Sequence, residues 1–428
     1  MDKKEQLIEQ LNAPEKEDRL EALRGLRAML DSGEIEKPVV GNDVNNHIHT
    51  TYSFSPYSPT KAVWMAYMSG LKTAGIMDHD SAGGHREFIE AGEIIGMLTT
   101  VGVECRVSFA DTAINGRRIN NPDQDSIVYM AIHGIPHQNI ERVQEFFRPY
   151  VEARNRRNRA MIDNINELTA SAGVYTDFDN DVVPLSMYHD GGSITERHLL
   201  FAVSKNIVAK LGKGPKVVDF LKNDLNMHIS PKIEGYLSDP DNDVYEYDLL
   251  GALKSDMVEK FYIDATEECP DVREVIALAK EVGGISAYAY LGDVGDSVTG
   301  DKKAQKFEDD YLDLLFEVIH DLKFNAVTYM PSRNTYEQLA RVRGKCRDYG
   351  FFQISGEDIN SPRQKFICEA QRNPEFSNLY DATFALIGHE QAATANIDDA
   401  MFSDSAIAKL PDLDRRIEYY KGLVTDEA

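Results

Sequence analysis

The feature that most constrains this chain is an alternation of short apolar runs and amphipathic stretches after Pro38. Runs such as AGIMDHD, LTTVGVECRV and FFQISGED are separated by helical stretches such as PTKAVWMAYMSGLKT and VREVIALAKEVG. Alternating strands and helices predict a parallel sheet, because each helix carries the chain back to the start of the next strand. Polar residues follow several of the runs. We therefore predict a closed βα barrel whose chemistry gathers at the carboxyl ends of its strands.

Two segments depart from this alternation. Residues 1–40 have leucines at helical spacing on either side of Pro14, which predicts an N-terminal helical extension. Residues 206–270 are rich in Lys, Asp, Asn and Pro, and pieces such as VVDFLKNDL predict a helical insertion at the barrel mouth. The predicted barrel therefore has two parts, 41–205 and 271–428, and the second part ends in a helical tail.

Composition narrows the class of protein. The formal net charge is −25, so the surface repels nucleic-acid backbones and we expect no nucleic-acid partner. The densest basic run, RNRRNR at 154–159, is short. The four cysteines have no CxxC or zinc-finger spacing. No signal peptide or membrane-spanning run stands out, so we expect a cytoplasmic protein without a membrane partner. The sequence predicts no particular oligomeric state.

Potential metal ligands follow several predicted strands. His47 and His49 are two residues apart, so their side chains point the same way from a strand. Asp78-His79-Asp80 follows one apolar run, Glu104 ends another, and Asp358 comes just after FFQISGE. Imidazole nitrogens and carboxylate oxygens together suit a divalent cation. The sequence therefore predicts a metal site where these strands end.

Six short motifs along roughly residues 43–368 resemble those of the polymerase and histidinol phosphatase (PHP) family. They are NNHIHTTYSFS at 45–55, MDHD at 77–80, GVE at 102–104, TERHLLFAV at 195–203, GGISAYAYL at 283–291 and GEDIN at 356–360. The resemblance implies an α/β fold built as a distorted, TIM-like barrel of seven strands. It also implies bound metal ions and hydrolysis of phosphate monoesters or diesters.

The resemblance further implies which residues bind metal. One ion would be held by His47, His49, Glu104 and Asp358. A second would share Glu104 and take His133, although Tyr129 can occupy the equivalent place. The family's remaining ligand positions hold Phe54 or Ser55, Tyr290 and Asn360, so a third site keeps only His79. We therefore predict one or two divalent ions per chain, of manganese, zinc or iron.

The predicted substrate is a small-molecule phosphate ester. Arg197 and His198 begin a helix, where a cation and backbone N–H groups favour a phosphate, although the same pair can simply cap the helix. His79 or His133 is predicted to protonate the leaving oxygen, and Tyr290 and Asn360 to contact substrate.

The alternative function is a degenerate PHP-like protein that binds metal or ligand without catalysis. The substituted positions favour this alternative. Glu104 and Asp358 oppose it, because buried carboxylates are costly without a cation.

Overall fold

The computed structural model describes residues 2–293 and 305–425. Its strands are β1 Val44–Ile48, β2 Thr73–His79, β3 Leu98–Ser108, β4 Ile127–His133, β5 Ile285–Ala289, β6 Ala326–Tyr329 and β7 Phe352–Ser355. Its α-helices before β5 are α1 Lys3–Gln10, α2 Lys16–Ser32, α3 Pro59–Met68, α4 His85–Ile95, α5 Ile140–Thr169, α6 Glu196–Leu211, α7 Pro215–Asn223, α8 Pro231–Ser238, α9 Tyr245–Phe261 and α10 Val272–Val282. The later helices are α11 Leu312–Asp321, α12 Tyr336–Tyr349, α13 Ser377–Ala395, α14 Asp404–Lys409 and α15 Leu413–Thr425.

The strands form one curled, mixed sheet in the order β1-β2-β3-β4-β5-β6-β7. The predicted α/β class with seven strands is confirmed. The prediction of an all-parallel sheet is wrong at β4, which is antiparallel to both β3 and β5. Residues 109–126 join β3 to β4 without a helix, so no crossover carries the chain back for a parallel pairing.

The two edges of the sheet meet through one contact rather than a regular strand pair. Ile48 at the end of β1 forms an isolated parallel bridge with Ile359, which lies beyond β7. The His49 backbone N–H donates to the Ile359 carbonyl at 2.9 Å, and the Ile359 N–H donates to the His47 carbonyl at 3.1 Å. The predicted closed barrel is therefore wrong in detail, because β7 ends at Ser355 before it can form a ladder with β1.

The N-terminal helices pack on the outside of this sheet layer. Helix α2 buries one apolar face, formed by Leu20, Leu23, Leu26 and Leu30. A buried ion pair joins this helix to α4, with Arg19 Nη2 2.6 Å from Glu87 Oε2. The leucine spacing seen in the sequence thus produces a packed helix outside the sheet, with no side chain in the site described below.

Between β4 and β5 the chain makes a helical excursion with its own hydrophobic core. Residues 206–270 contain α7, α8, α9 and no strand, but the excursion begins earlier, with α5. Fully buried residues of this second core include Met161, Val203 and Leu253. Phe54, from the loop after β1, belongs to the same core. The excursion is therefore packed against the strand ends that carry the predicted ligands.

Among the described residues, none of the helices combines the length and the apolar content that a membrane span requires.

Candidate metal centre

His47, His49 and Glu104 converge on one point, at the carboxyl end of β1 and at the place within β3 where its pairing with β2 ends. One nitrogen or oxygen atom from each lies within 4.8 Å of the others, so these three residues can hold a metal ion. His47 Nε2 is 3.2 Å from His49 Nε2 and 3.5 Å from Glu104 Oε2. The His49 side chain is only 2% exposed. The two imidazoles face each other across the distance that a shared cation would span.

Asp358 joins this group because the segment after β7 forms a β-bridge with the end of β1. Asp358 Oδ1 lies 3.2 Å from His49 Nε2. The chain reaches this position by passing directly against His47: a Cβ atom on Gly356 would lie 2.6 Å from the His47 Cβ and 2.7 Å from its backbone nitrogen. Only glycine permits this approach without displacing the histidine. The backbone at Gly356 thus places a second carboxylate beside the imidazoles.

A chain of hydrogen bonds defines the protonation of His49. Asp78 is fully buried and accepts from the Thr50 N–H at 2.7 Å, the Thr50 hydroxyl at 2.6 Å and the Ser53 hydroxyl at 2.6 Å. Burial raises the pKa of Asp78, and the nearby His49 and these hydrogen bonds oppose the rise. Because the Ser53 proton points to Asp78, Ser53 Oγ accepts from His49 Nδ1, 3.2 Å away. His49 Nε2 is then left unprotonated, as a metal ligand requires.

The electrostatics of Glu104 also suit a cation site. Burial opposes ionisation of this carboxyl, but His47 and His79 outweigh burial and hold its pKa at about 2. Asp358 behaves alike: burial opposes its ionisation, and the neighbouring His49 and His47, together with Arg197, keep its pKa well below the usual range. Two carboxylates and two imidazoles balance a divalent ion in charge and match the donors that such ions accept. The residues present therefore fit a divalent metal.

His79 lies beside this group at the end of β2, level with Glu104 in the sheet register. Its Nδ1 is 3.2 Å from Glu104 Oε2, and its ring stacks on that of His49 with centroids 4.6 Å apart. Burial, the nearby His49 and Arg154 lower the pKa of His79 to about 3 against the pull of Glu104. Tyr129 of β4 also lies near His79, with ring centroids 5.9 Å apart.

Three further predicted residues line the adjoining cavity, which has a volume of about 590 Å³. Arg197, the second residue of α6, makes no hydrogen bond or ion pair with the described residues. Asn360 Nδ2 donates to Asp358 Oδ1 at 2.6 Å, and the Tyr290 hydroxyl donates to Asp309 Oδ1 at 2.6 Å. The structure therefore brings Arg197, Asn360 and Tyr290 to the same cavity as the ligand group.

His133 and His198 do not line this cavity. Because β4 is antiparallel, it runs past the level of Glu104, and His133 at its carboxyl end lies opposite Ile285, the first residue of β5. It is two residues, about 6–7 Å, below the level of Glu104. His198 faces its own helix start, where Nδ1 accepts from the Thr195 N–H at 3.1 Å and the ring packs on Phe54. Burial lowers the pKa of both imidazoles to about 3.

A group of buried charged residues next to the site was not anticipated from the sequence. This buried ion cluster consists of Asp80, Arg106, Arg154, Arg157, Glu196 and Glu268. Two signals pointed to it. Arg106 lies two residues after Glu104 and shares its face of β3, and Arg154 and Arg157 have i, i+3 spacing on one face of α5. The RNRRNR run had been considered only as a possible nucleic-acid-binding patch.

Comparison with known proteins adds little to this description. The sequence matches no protein-family model and no curated protein. Among solved structures, a proposed metal-dependent phosphoesterase of Bifidobacterium adolescentis is 21% identical with a TM-score of 0.49, covering 78% of this chain and 94% of its own. An amidohydrolase of Chromobacterium violaceum, solved with sulfate and no metal, is 16% identical with a TM-score of 0.49, covering 76% and 90%. At these values the similarities assign neither fold nor activity, and membership of the PHP family stays a prediction.

Proposed function

We propose that the protein is a metal-dependent hydrolase of phosphate esters. The observation that supports this most is the convergence of His47, His49 and Glu104 beside a cavity that is lined by His47, Glu104 and Arg197. A cation site alone is common to many proteins. A cation site that shares a cavity with a guanidinium that makes no hydrogen bond or ion pair with the described residues is suited to a phosphoryl group, whose oxygens need several positive neighbours.

The residues have distinct roles in this proposal. His47, His49, Glu104 and Asp358 would hold one divalent ion of manganese, zinc or iron. When bound, such an ion lowers the pKa of a water molecule and polarises a phosphoryl oxygen. Because His133 lies below the level of Glu104, we propose one ion rather than two.

Arg197 would bind the non-bridging oxygens and neutralise the charge that develops on them. The cavity of about 590 Å³ leaves room for the alcohol portion of a small-molecule ester beside the metal centre. Tyr290 and Asn360 line that space, so we propose that they contact the substrate. His79 is the remaining imidazole that faces it.

The substituted positions support a second candidate, a metal-binding protein without catalysis. Phe54 is part of the second core, Tyr290 is bonded to Asp309, and Asn360 is bonded to Asp358. Each side chain that stands at a ligand position of the resembled family thus has another partner here. Metal binding without turnover would be the signature of this candidate.

One experiment separates these functions. The protein is loaded with Mn²⁺, Zn²⁺ or Fe²⁺, its metal content is measured by elemental analysis, and turnover is followed on a panel of phosphate monoesters and diesters. We expect about one ion per chain and turnover of at least one ester class. His49→Gln should lose both, whereas His320→Gln, a change at a half-exposed histidine outside the cavity, should lose neither. Metal binding with no turnover on any ester would leave the binding protein as the function.

A further inference from the structure

The buried ion cluster joins the helical excursion to the strands of the metal centre. Asp80 directly follows β2, and Arg106 belongs to β3. Arg154 and Arg157 come from α5, Glu196 begins α6, and Glu268 precedes α10. Three guanidinium groups face three carboxylates, so the cluster is neutral as a whole. Its members are therefore mutually compensated, and removing one alone would leave a buried charge without its partner.

Within this cluster, Arg154 is the contact to Asp80, the residue that follows β2 and His79. Arg154 Nη1 lies 2.5 Å from Asp80 Oδ2, and the two side chains are 4% and 5% exposed. Arg154 Nε also lies 3.4 Å from Glu268 Oε1, which Arg106 and Arg157 contact as well. The Arg154 guanidinium thus contacts Glu268 of the cluster through Nε and forms an ion pair with Asp80 through Nη1.

Asp80 has a backbone conformation that few residues other than glycine adopt. Its φ is +49°, in the left-handed region. Its N–H donates to the Glu104 carbonyl at 2.8 Å, and the preceding His79 carbonyl accepts from the Ser193 hydroxyl at 2.6 Å. The backbone around His79 is therefore fixed from both sides, and the ion pair with Arg154 keeps the Asp80 side chain in the orientation that this conformation produces.

His79 is the residue whose side chain this arrangement places at the site. Its ring stacks on His49 and lies near Tyr129, and its Nδ1 is 3.2 Å from Glu104 Oε2. A change in the Asp80 backbone would rotate the His79 Cα–Cβ bond, because the two residues share a peptide plane. The ring would then lose its stack on His49 or its contact with Glu104.

We propose that Arg154 is a positioning residue that fixes the His79 imidazole through Asp80. The helical excursion then contributes to the geometry of the metal centre without contacting the ligands. The kinetic part of this inference rests on the proposed function, whereas the placement of His79 is independent of it.

The test removes the ion pair as a unit. The double variant Arg154→Met/Asp80→Asn leaves neither member as an unpaired charge. The matched control is Arg19→Met/Glu87→Gln, which removes the buried pair of α2 and α4, at 2.6 Å and with side chains 4% and 2% exposed, outside the cavity. NMR spectra of ¹⁵N-histidine-labelled protein report on the His79 ring, whose signals are identified by their absence in His79→Gln. These signals are then compared among the folded variants. Arg154→Lys retains a cation beside Asp80 and serves as the conservative variant.

We expect displaced or broadened His79 signals in Arg154→Met/Asp80→Asn, wild-type signals in the control pair and an intermediate result in Arg154→Lys. On an ester that the wild type hydrolyses, kcat should fall by about 10–100-fold at unchanged metal content and similar KM, as for a misplaced catalytic-site group. Unchanged His79 signals in the double variant, or equal displacement in the control pair, would overturn the proposal. If the wild type hydrolyses no ester, the proposed function fails, and the His79 signals still decide the positioning role.

Discussion

Replacing Ser53 by alanine tests whether a hydrogen-bond chain determines how His49 presents its nitrogen to a metal. In the wild type, Ser53 Oγ accepts from His49 Nδ1 at 3.2 Å and donates to Asp78 at 2.6 Å. Alanine removes the acceptor, so the His49 proton is no longer directed to Nδ1. Loss of such an outer contact lowers metal affinity by about 10–100-fold, or about 1.4–2.7 kcal/mol. Competitive Zn²⁺ titration against a chromophoric chelator measures this change.

Two further variants make the result specific. Asp78→Asn removes the charge but can keep the hydrogen-bond chain to His49. In the wild type the Thr50 N–H and the Ser53 hydroxyl both donate to Asp78 Oδ1, and the asparagine amide oxygen can accept both of these hydrogen bonds. We therefore expect Asp78→Asn to change Zn²⁺ affinity less than Ser53→Ala does. Ser55→Ala alters a buried serine of the same loop whose hydroxyl accepts from the Tyr57 N–H, and it should bind as the wild type does. The reasoning is refuted if Ser53→Ala retains full affinity, or if Asp78→Asn is the weaker binder.

Three other changes have defined outcomes. Arg197→Met should lower kcat/KM by about 10–100-fold, the loss of a charged hydrogen bond of about 1.5–3 kcal/mol, while elemental analysis finds unchanged metal. Burial lowers the pKa of three histidines to about 3, 3 and 4, namely His85, His198 and His389. Below about pH 6.5 these histidines bind protons in the unfolded chain but not in the folded one. As the pH falls from about 6.5 to about 4, the free energy of unfolding therefore decreases by about 1.4 kcal/mol per pH unit for each histidine. In urea titrations at several pH values, His389→Gln should lower the pH dependence of the free energy of unfolding by the contribution of one histidine. An unchanged pH dependence would contradict this prediction. Gly388→Ala would place a Cβ 1.9 Å from the Tyr420 carbonyl oxygen and should cost on the order of 1–3 kcal/mol in thermal unfolding, unlike Gly344→Ala, whose nearest atom is 4.0 Å away.

The convergence at the metal centre was predictable because it depends on local rules. Residues two apart on a strand share a face, and strand ends of a curled α/β sheet meet at one edge. His47, His49 and Glu104 obey both rules, and the structure brings them together. The position of Asp358 depends in addition on the β-bridge between Ile48 and Ile359, which no local sequence pattern in either segment predicts.

The failures depend on direction and packing, which sequence periodicity does not encode. The sheet was predicted to be all parallel, but β4 is antiparallel, so His133 at its carboxyl end lies two residues below the level of Glu104, and its role as a ligand stays a prediction. A helix-free connection from β3 was the available signal. Arg154 and Arg157 have the spacing of one helical face, yet that face meets Glu268 instead of solvent. Whether a charged face is buried depends on partners more than 100 positions away in the chain.

The packing of Phe54 makes its position unfavourable for a metal ligand. Its backbone φ is +142°, and its ring packs against His198, Phe201 and Tyr247 within the second core. Placing an acidic or imidazole side chain there by one substitution would leave a void among these rings and put a polar group in it. A metal ligand at this position would therefore also require changes in α6 and α9, which carry the surrounding rings. The helical excursion thus limits how many metal ligands this site can present, because the aromatic residues around Phe54 raise the free-energy cost of a polar side chain at that position.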